Sequence, residues 1–154
     1  MGLLMLEGLP KWSRTGHGQV LTHQKIQRNL LRVMKMPRLL IVDDEIDVCE
    51  FARNFFRKRQ IDVFVATDGR QALDLIEEMN FELVLLDVRM GEMNGIEVLQ
   101  ELRNKNLKVK VIMVSGVVNT EVINEAKGLG VISFINKPFI LEDLEEIVLC
   151  ELKI

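Results

Sequence analysis

Residues 38 to 44 read RLLIVDD: an apolar run, Leu39 to Val42, that ends without a spacer on two adjacent carboxylates, Asp43 and Asp44. A run apolar at successive positions suits a strand buried on both faces, which occurs where crossover helices cover a parallel sheet. The same pattern recurs downstream. Strands are expected at 38 to 44, at DVFVAT (62 to 67), LVLLD (83 to 87), KVIMVSG (110 to 116) and VISFIN (131 to 136). Segments of helical period lie between and after them, at about 45 to 59, 70 to 79, 94 to 105, 118 to 127 and 140 to 152. Val48, Ala52 and Phe55 mark the expected buried stripe of the first of these helices, and Leu141, Leu144 and Val148 that of the last. Five strand–helix units in succession predict an α/β fold, an open parallel sheet with helices on both sides.

The totals agree. At 154 residues, 48% hydrophobic and 28% charged, the chain has the composition of a soluble globular protein with one domain of ordinary size. A net charge of −3 gives no general reason to expect direct binding to nucleic acid or to a membrane surface. That charge is unevenly spread: before Pro37 the only acid is Glu7, set against Lys11, Arg14, Lys25, Arg28, Arg32 and Lys35. Cys49 and Cys150 sit in helical patterns without metal-ligand spacing, so both are expected to pack in the core of a protein from a reducing, cytoplasmic setting. The opening MGLLML is stopped by Glu7 and Pro10, too early for a secretory signal. No apolar run approaches the ~20 residues of a membrane span, so no membrane insertion is expected. Leu6 stands where a myristoylation signal has Ser or Thr.

In an open α/β sheet, ligands bind beyond the carboxyl ends of the strands. The residues expected there are Asp43 and Asp44 after the first strand, Asp87 after the third, Ser115 after the fourth and Asn136, Lys137 and Pro138 after the fifth. Asp68, after the second, reads instead as a helix cap. Three carboxylates converging on one crevice repel one another unless a cation compensates them. Hard oxygen donors with no His or Cys beside them favour Mg²⁺. Asp44, Glu45 and Asp47 would also suit a helix N-terminus without metal, but Asp43 and Asp87 at separate strand ends point to an ion. Lys137 is held in direction by Pro138 and is expected to pair with Asp87 at rest, then with a phosphoryl oxygen after modification. Ser115 offers a hydroxyl donor, and Gly116 leaves room beside it.

The stretches IVDDE (41 to 45), LVLLDVRMGEMNGIEVL (83 to 99), VIMVSG (111 to 116) and FINKPF (134 to 139) resemble the receiver domain of two-component response regulators. The resemblance implies a doubly wound, flavodoxin-like (βα)5 fold with strand order 2-1-3-4-5. It makes Asp87 the phosphoacceptor, attacking a phosphohistidine of a sensor histidine kinase or a histidine phosphotransfer protein. Such a chain is a signalling phosphoacceptor that catalyses its own phosphorylation and slow dephosphorylation, not an enzyme in the usual sense. Asp44 would bind Mg²⁺ directly and Asp43 through water, with the backbone carbonyl of Arg89 and the carboxylate of Asp87 completing the protein's share. Lys137 and Ser115 would hold the phosphoryl oxygens. Ser115 and Phe134 would form the switch pair, the hydroxyl drawn inward and the ring turning into the space it leaves, so that the fourth strand, the helix after it and the fifth strand (110 to 136) exchange between two packings and change the face over 118 to 152.

Three positions depart from the family pattern. Gly91 replaces the usual proline, which predicts a more flexible loop over 88 to 94 unless packing restrains it. Phe134 lacks the hydroxyl of the commoner tyrosine, and Gly116 replaces an alanine. Arg89 and Val117 are expected to tune the lifetime of the phosphorylated state.

Residues 1 to 36 form an extension ahead of the receiver at 37 to 154. Two readings of it compete: a disordered leader or upstream start, and a basic amphipathic helix over about 19 to 36, with Val20, Ile26, Leu30, Val33 and Met34 apolar, that docks on a partner or an anionic surface. His17 and His23 are isolated and are not expected to bind metal. The last helical pattern reaches Cys150 and the sequence stops at Ile154, which predicts a free-standing receiver whose output is another protein. The face over 118 to 152 is the expected contact for that target and the candidate face of a phosphorylation-dependent homodimer. Alternatives are a phosphate-independent pseudo-receiver scaffold, or an aspartate-nucleophile phosphatase, which would want D-x-D where Asp43, Asp44 and Glu45 stand. A flavin-binding domain of this topology would want a phosphate-cradling loop after the first strand, where the two acids are.

Overall fold

The computed structural model describes residues 22–116 and 119–154, and the chain divides into two units, Met1–Lys35 and Met36–Ile154. Within the first unit a helix, α1 (His23–Met34), falls inside the span of the amphipathic reading. Val20 and His17 lie outside the described residues.

In the second unit the apolar runs become β1 (Arg38–Val42), β2 (Asp62–Ala66), β3 (Leu83–Asp87), β4 (Lys110–Ser115) and β5 (Ser133–Asn136). They alternate with α2 (Ile46–Arg57), α3 (Gly69–Glu78), α4 (Gly95–Asn104), α5 (Thr120–Gly128) and α6 (Leu141–Leu152). All pairings are parallel, in the order β2-β1-β3-β4-β5, as expected for a doubly wound flavodoxin-like sheet. Neighbouring residues of one strand point to opposite faces. Leu40, Val42, Val84, Leu86, Val111 and Met113 therefore share one apolar layer with Ala72 and Leu73 of α3, Leu99 and Leu102 of α4 and Ala126 of α5. Leu39, Ile41, Leu85, Ile112 and Val114 share the other with Ala52 and Phe56 of α2 and Leu144 and Val148 of α6. The central strand, β3, is buried at all five positions.

Polar side chains set the helix starts. Asp68 Oδ1 accepts from the Gln71 amide at 2.8 Å and opens α3. Asn94 and Glu97 form a reciprocal capping box at α4, with bonds of 2.9 and 2.8 Å, and Asn119 caps α5 through the Val122 amide.

Several expectations are corrected. The buried stripe of α2 is Cys49, Ala52 and Phe56, one step round from Val48 and Phe55, which are half-buried. The last strand starts at Ser133; Val131 and Ile132 precede it, after a turn in which Gly130 takes φ +78°. Cys49 is fully buried as expected, but Cys150 is exposed on α6. Burial, with Asp43 close by, pushes the Cys49 thiol up to about 11, so it is un-ionised at neutral pH. Iodoacetamide at neutral pH is accordingly expected to add one label to the native chain, on Cys150, and two to the unfolded chain. Peptide mapping checks this, and comparable native labelling of Cys49 would contradict the packing described.

Among the described residues no helix is long and apolar enough to cross a membrane.

Candidate functional site

The ends of β1, β3 and β4 and the segment after β5 converge because parallel strands put every carboxyl end on one edge. Asp43 follows β1 and its amide donates to the Ala66 carbonyl, which continues the sheet ladder by one residue. Asp87 is the last residue of β3 and Ser115 the last of β4. All three are buried, Asp43 at 5% exposure, Asp87 at 6% and Ser115 at 0%. Lys137 follows β5; its amide donates to the Ser115 carbonyl at 2.8 Å, and the Lys137–Pro138 peptide is cis.

The lysine ammonium lies between two acids, 2.7 Å from Asp43 Oδ2 and 3.2 Å from Asp87 Oδ2. It was expected to pair with Asp87; it pairs with both, more closely with Asp43. The other carboxylate oxygens are held by backbone: Asp43 Oδ1 accepts from the Glu45 amide at 2.9 Å, and Asp87 Oδ1 from the Arg89 amide at 3.2 Å. Cys49 Sγ donates to the Asp43 carbonyl at 3.2 Å, so the thiol read only as packing also fixes the backbone of a site residue.

Beneath the carboxylates lies an apolar floor that includes Ile41, Val48, Leu85, Val114 and Leu144. That surrounding sets the electrostatics. Burial holds the Asp87 carboxyl above the ordinary carboxylate range, Lys137 counteracts it, and Asp43 adds to it. For Lys137, burial alone would lower the value, but the hydrogen bond and charge of Asp43, with Asp87, raise it above that of a free lysine. The ammonium is therefore firmly charged. Replacing it with methionine strands two buried carboxylates, and the metal-free protein should lose about 2–4 kcal/mol. Added Mg²⁺ should restore more stability to Lys137→Met than to the parent, read as the rise in Tm over an EDTA control; an equal rise would contradict the pairing.

Asp43, Asp44 and Asp87 each place a carboxylate oxygen within 4.8 Å of the others, with Asp44 exposed at the mouth. Three hard oxygen donors, two of them anchored and one open to water, suit a small hydrated divalent cation. Arg89 is at the same mouth, where it lines an open depression with Asp44, Met90, Gly91 and Asn94.

Phe134 is half-buried and packs on the layer that includes Met113. Val117 lies outside the described residues. The loop after β3 is restrained despite Gly91, because Val88 and Met90 are buried and the Gly95 amide donates to the Val88 carbonyl at 2.8 Å. Gly91 itself faces open space, and a Cβ on Gly116 would meet only Lys137 Cβ, at 3.7 Å.

Gly95 is the site residue that the sequence did not single out. A Cβ there would stand 2.1 Å from the Asp87 carbonyl oxygen. The bare backbone is what lets α4 start against the residue that carries the central carboxylate. Asn94–Gly95 reads in sequence as an ordinary helix entry, and only the crossing chain makes the glycine obligatory.

The comparisons with known proteins agree with this arrangement. The family model for the response regulator receiver domain matches residues 39–149. Sporulation initiation phosphotransferase F of Bacillus subtilis is 31% identical over 115 residues, covering 75% of this chain and 93% of that protein. The regulatory protein AtoC of Escherichia coli is 36% identical over 111 residues, covering 72% of this chain but 24% of AtoC, so the chain spans about a quarter of that longer relative. Among solved structures, Thermotoga maritima TrrA in complex with Mg²⁺ and BeF superimposes with a TM-score of 0.68 at 27% identity, covering 75% of this chain and 99% of TrrA. With the sheet order, the acidic cluster and the family match in agreement, the chain belongs to the response regulator receiver family and is a phosphoacceptor signalling domain of two-component systems.

Proposed function

We propose that Asp87 accepts a phosphoryl group from a phosphohistidine, on a sensor histidine kinase or a histidine phosphotransfer protein, and that the modified site controls a partner through α5, β5 and α6. The observation that carries the reading is the Lys137 ammonium shared by Asp43 and Asp87 inside a cluster of three carboxylates. A site of that kind has charge for a phosphoryl group to exchange with.

Asp43, Asp44, Asp87 and the Arg89 carbonyl would hold Mg²⁺, which when bound offsets the negative charge of carboxylate and phosphoryl oxygens alike. An Asp87 carboxylate oxygen attacks phosphorus, the phosphorus–nitrogen bond of the phosphohistidine breaks, and its electron pair stays on the imidazole nitrogen, which takes a proton from water. An acyl phosphate remains on Asp87. Small phosphodonors serve equally, which makes the chain the catalyst of its own phosphorylation, and water attacking the acyl phosphate resets it. Lys137, released from Asp87 Oδ2, turns to a phosphoryl oxygen, and positioning with charge stabilisation does most of the work.

Ser115 and Phe134 pass the change outward. The hydroxyl moves toward the phosphoryl group, the Phe134 ring follows, and the segment from α5 to α6 takes its second packing. Ile132 and Ile140, exposed before and after β5, lie in that segment and give a target or a second copy apolar contact. The reading places the protein in the cytoplasm, with the donors named.

The test is a heteronuclear NMR titration of the labelled chain with Mg²⁺, then with beryllium fluoride. Shifts confined to Asp43, Asp44, Asp87 and Arg89 on adding metal, spreading through Ser115 and Phe134 to α5 and α6 on adding beryllium fluoride, are expected. A second step that leaves Phe134 and α5 unmoved would overturn the switch.

A further inference from the structure

The stretch matched by the receiver model begins at residue 39, after α1 (His23–Met34) has ended. Residues 1–35 carry six Lys and Arg against one acid, while the rest of the chain carries 22 acids against 14 bases. In α1 itself, HQKIQRNLLRVM, there is no acid at all. At 100° per residue, Lys25 and Arg28 fall within about 60° of arc, and Ile26 and Leu30 within about 40° on the opposite side.

The apolar side is not covered where it is described: Ile26 is 43% exposed and Leu30 52%, with Leu31 beside them at 68%. A helix of this length is marginal in water by itself. With no acid to pair with Lys25 or Arg28 along the helix, α1 needs a surface that takes aliphatic side chains on one side and accepts cations on the other.

We infer that α1 is an interfacial anchor that lies in the headgroup layer of an anionic lipid surface, with Ile26 and Leu30 toward the acyl chains and Lys25 and Arg28 among the headgroups. Its low overall hydrophobicity, strong segregation of faces and a polar side that joins Lys25 and Arg28 with neutral Gln24 and Asn29 and holds no acid are the features of helices that lie on a bilayer and do not cross it. A nucleic acid would meet the cations and leave the aliphatic side in water. A protein groove is less suited: α1 offers it no Phe, Tyr or Trp anchor and no acid, only the neutral Gln24, Gln27 and Asn29 beside its cations. The acidic remainder of the chain contributes no attraction to such a surface, so the binding rests on this segment.

The test uses the full chain and sedimentation with vesicles of phosphatidylglycerol and phosphatidylcholine in equal parts, beside vesicles of phosphatidylcholine alone. Binding to the first and not the second is expected, weakened by salt, with helix content rising by circular dichroism. Lys25→Gln with Arg28→Gln should weaken it at least tenfold, and Leu30→Gln should weaken it as well. Both variants should still take a phosphoryl group on Asp87, which shows that the receiver is folded. Equal binding to both vesicles, no binding to either, or variants that bind like the parent would overturn the inference. Association with a DNA duplex or with itself in place of vesicles would overturn it too, and would assign α1 to that partner.

Discussion

Asp87→Asn is expected to slow phosphoryl transfer by at least about a thousandfold, to below detection in an incubation that modifies the parent fully. The amide keeps the shape and loses the nucleophile. Its effect on stability should run the other way. Burial raises the Asp87 carboxyl, so the folded chain holds that proton more tightly than the unfolded one. A group raised in the folded state favours folding below its unfolded value, and that contribution disappears as pH rises through the folded value. At neutral pH the ionised carboxylate is therefore a net burden on the metal-free protein, and Asp87→Asn should unfold at higher urea in EDTA than the parent. The difference should shrink as pH is lowered through the carboxylate range, and shrink again when Mg²⁺ stabilises the parent. A variant less stable than the parent at neutral pH in EDTA would mean that the Lys137 pair outweighs burial.

Gly95→Ala should be the most damaging small change in the molecule. The added methyl meets the Asp87 carbonyl oxygen at 2.1 Å, its carbon at 2.9 Å and Val88 Cα at 3.0 Å, all backbone atoms that cannot swing aside. Either α4 lifts from β3 or the end of β3 bends, at a cost of about 2–4 kcal/mol and a fall in Tm on the order of 10 °C. Because the strained atoms belong to Asp87, phosphorylation should slow even at temperatures where the variant stays folded. Gly91→Ala, four residues earlier and with nothing within 4 Å of its added carbon, serves as the control and should change stability by less than about 1 kcal/mol. Equal effects of the two would remove the close contact from the account.

The sheet was legible because its strands are buried on both faces. RLLIV, LVLLD and KVIMVS leave almost no polar position for another fold to use, and their order along the chain is that of strand–helix units. The site followed from the sheet, since Asp43, Asp87, Ser115 and Lys137 needed only to be read as the residues at strand ends. What was hidden depended on the third dimension. Ile46, Val48, Phe51 and Phe55 give α2 apolar residues around much of its circumference, so its phase was ambiguous. The sheet chose Cys49, Ala52 and Phe56, leaving Ile46 62% and Phe51 67% exposed. At the edge, β5 pairs with one strand only, and Val131 and Ile132, apolar enough to read as strand, stay outside it. Gly95 was invisible for a related reason: its requirement comes from Asp87, eight positions back and across the turn. The second partner of Lys137 also needed coordinates, because sequence gives the direction of a lysine but not which of two neighbouring carboxylates its ammonium meets first.

The central claim is that Asp87 is a metal-dependent phosphoacceptor, and intact-mass spectrometry tests it most directly. The chain would be incubated with a small-molecule phosphodonor and Mg²⁺, beside Asp87→Asn and a chelated control. One phosphoryl adduct that needs the metal and vanishes in the variant is the predicted result. No adduct on the parent, from a phosphodonor shown to modify another receiver, or an adduct that survives in Asp87→Asn, would contradict it.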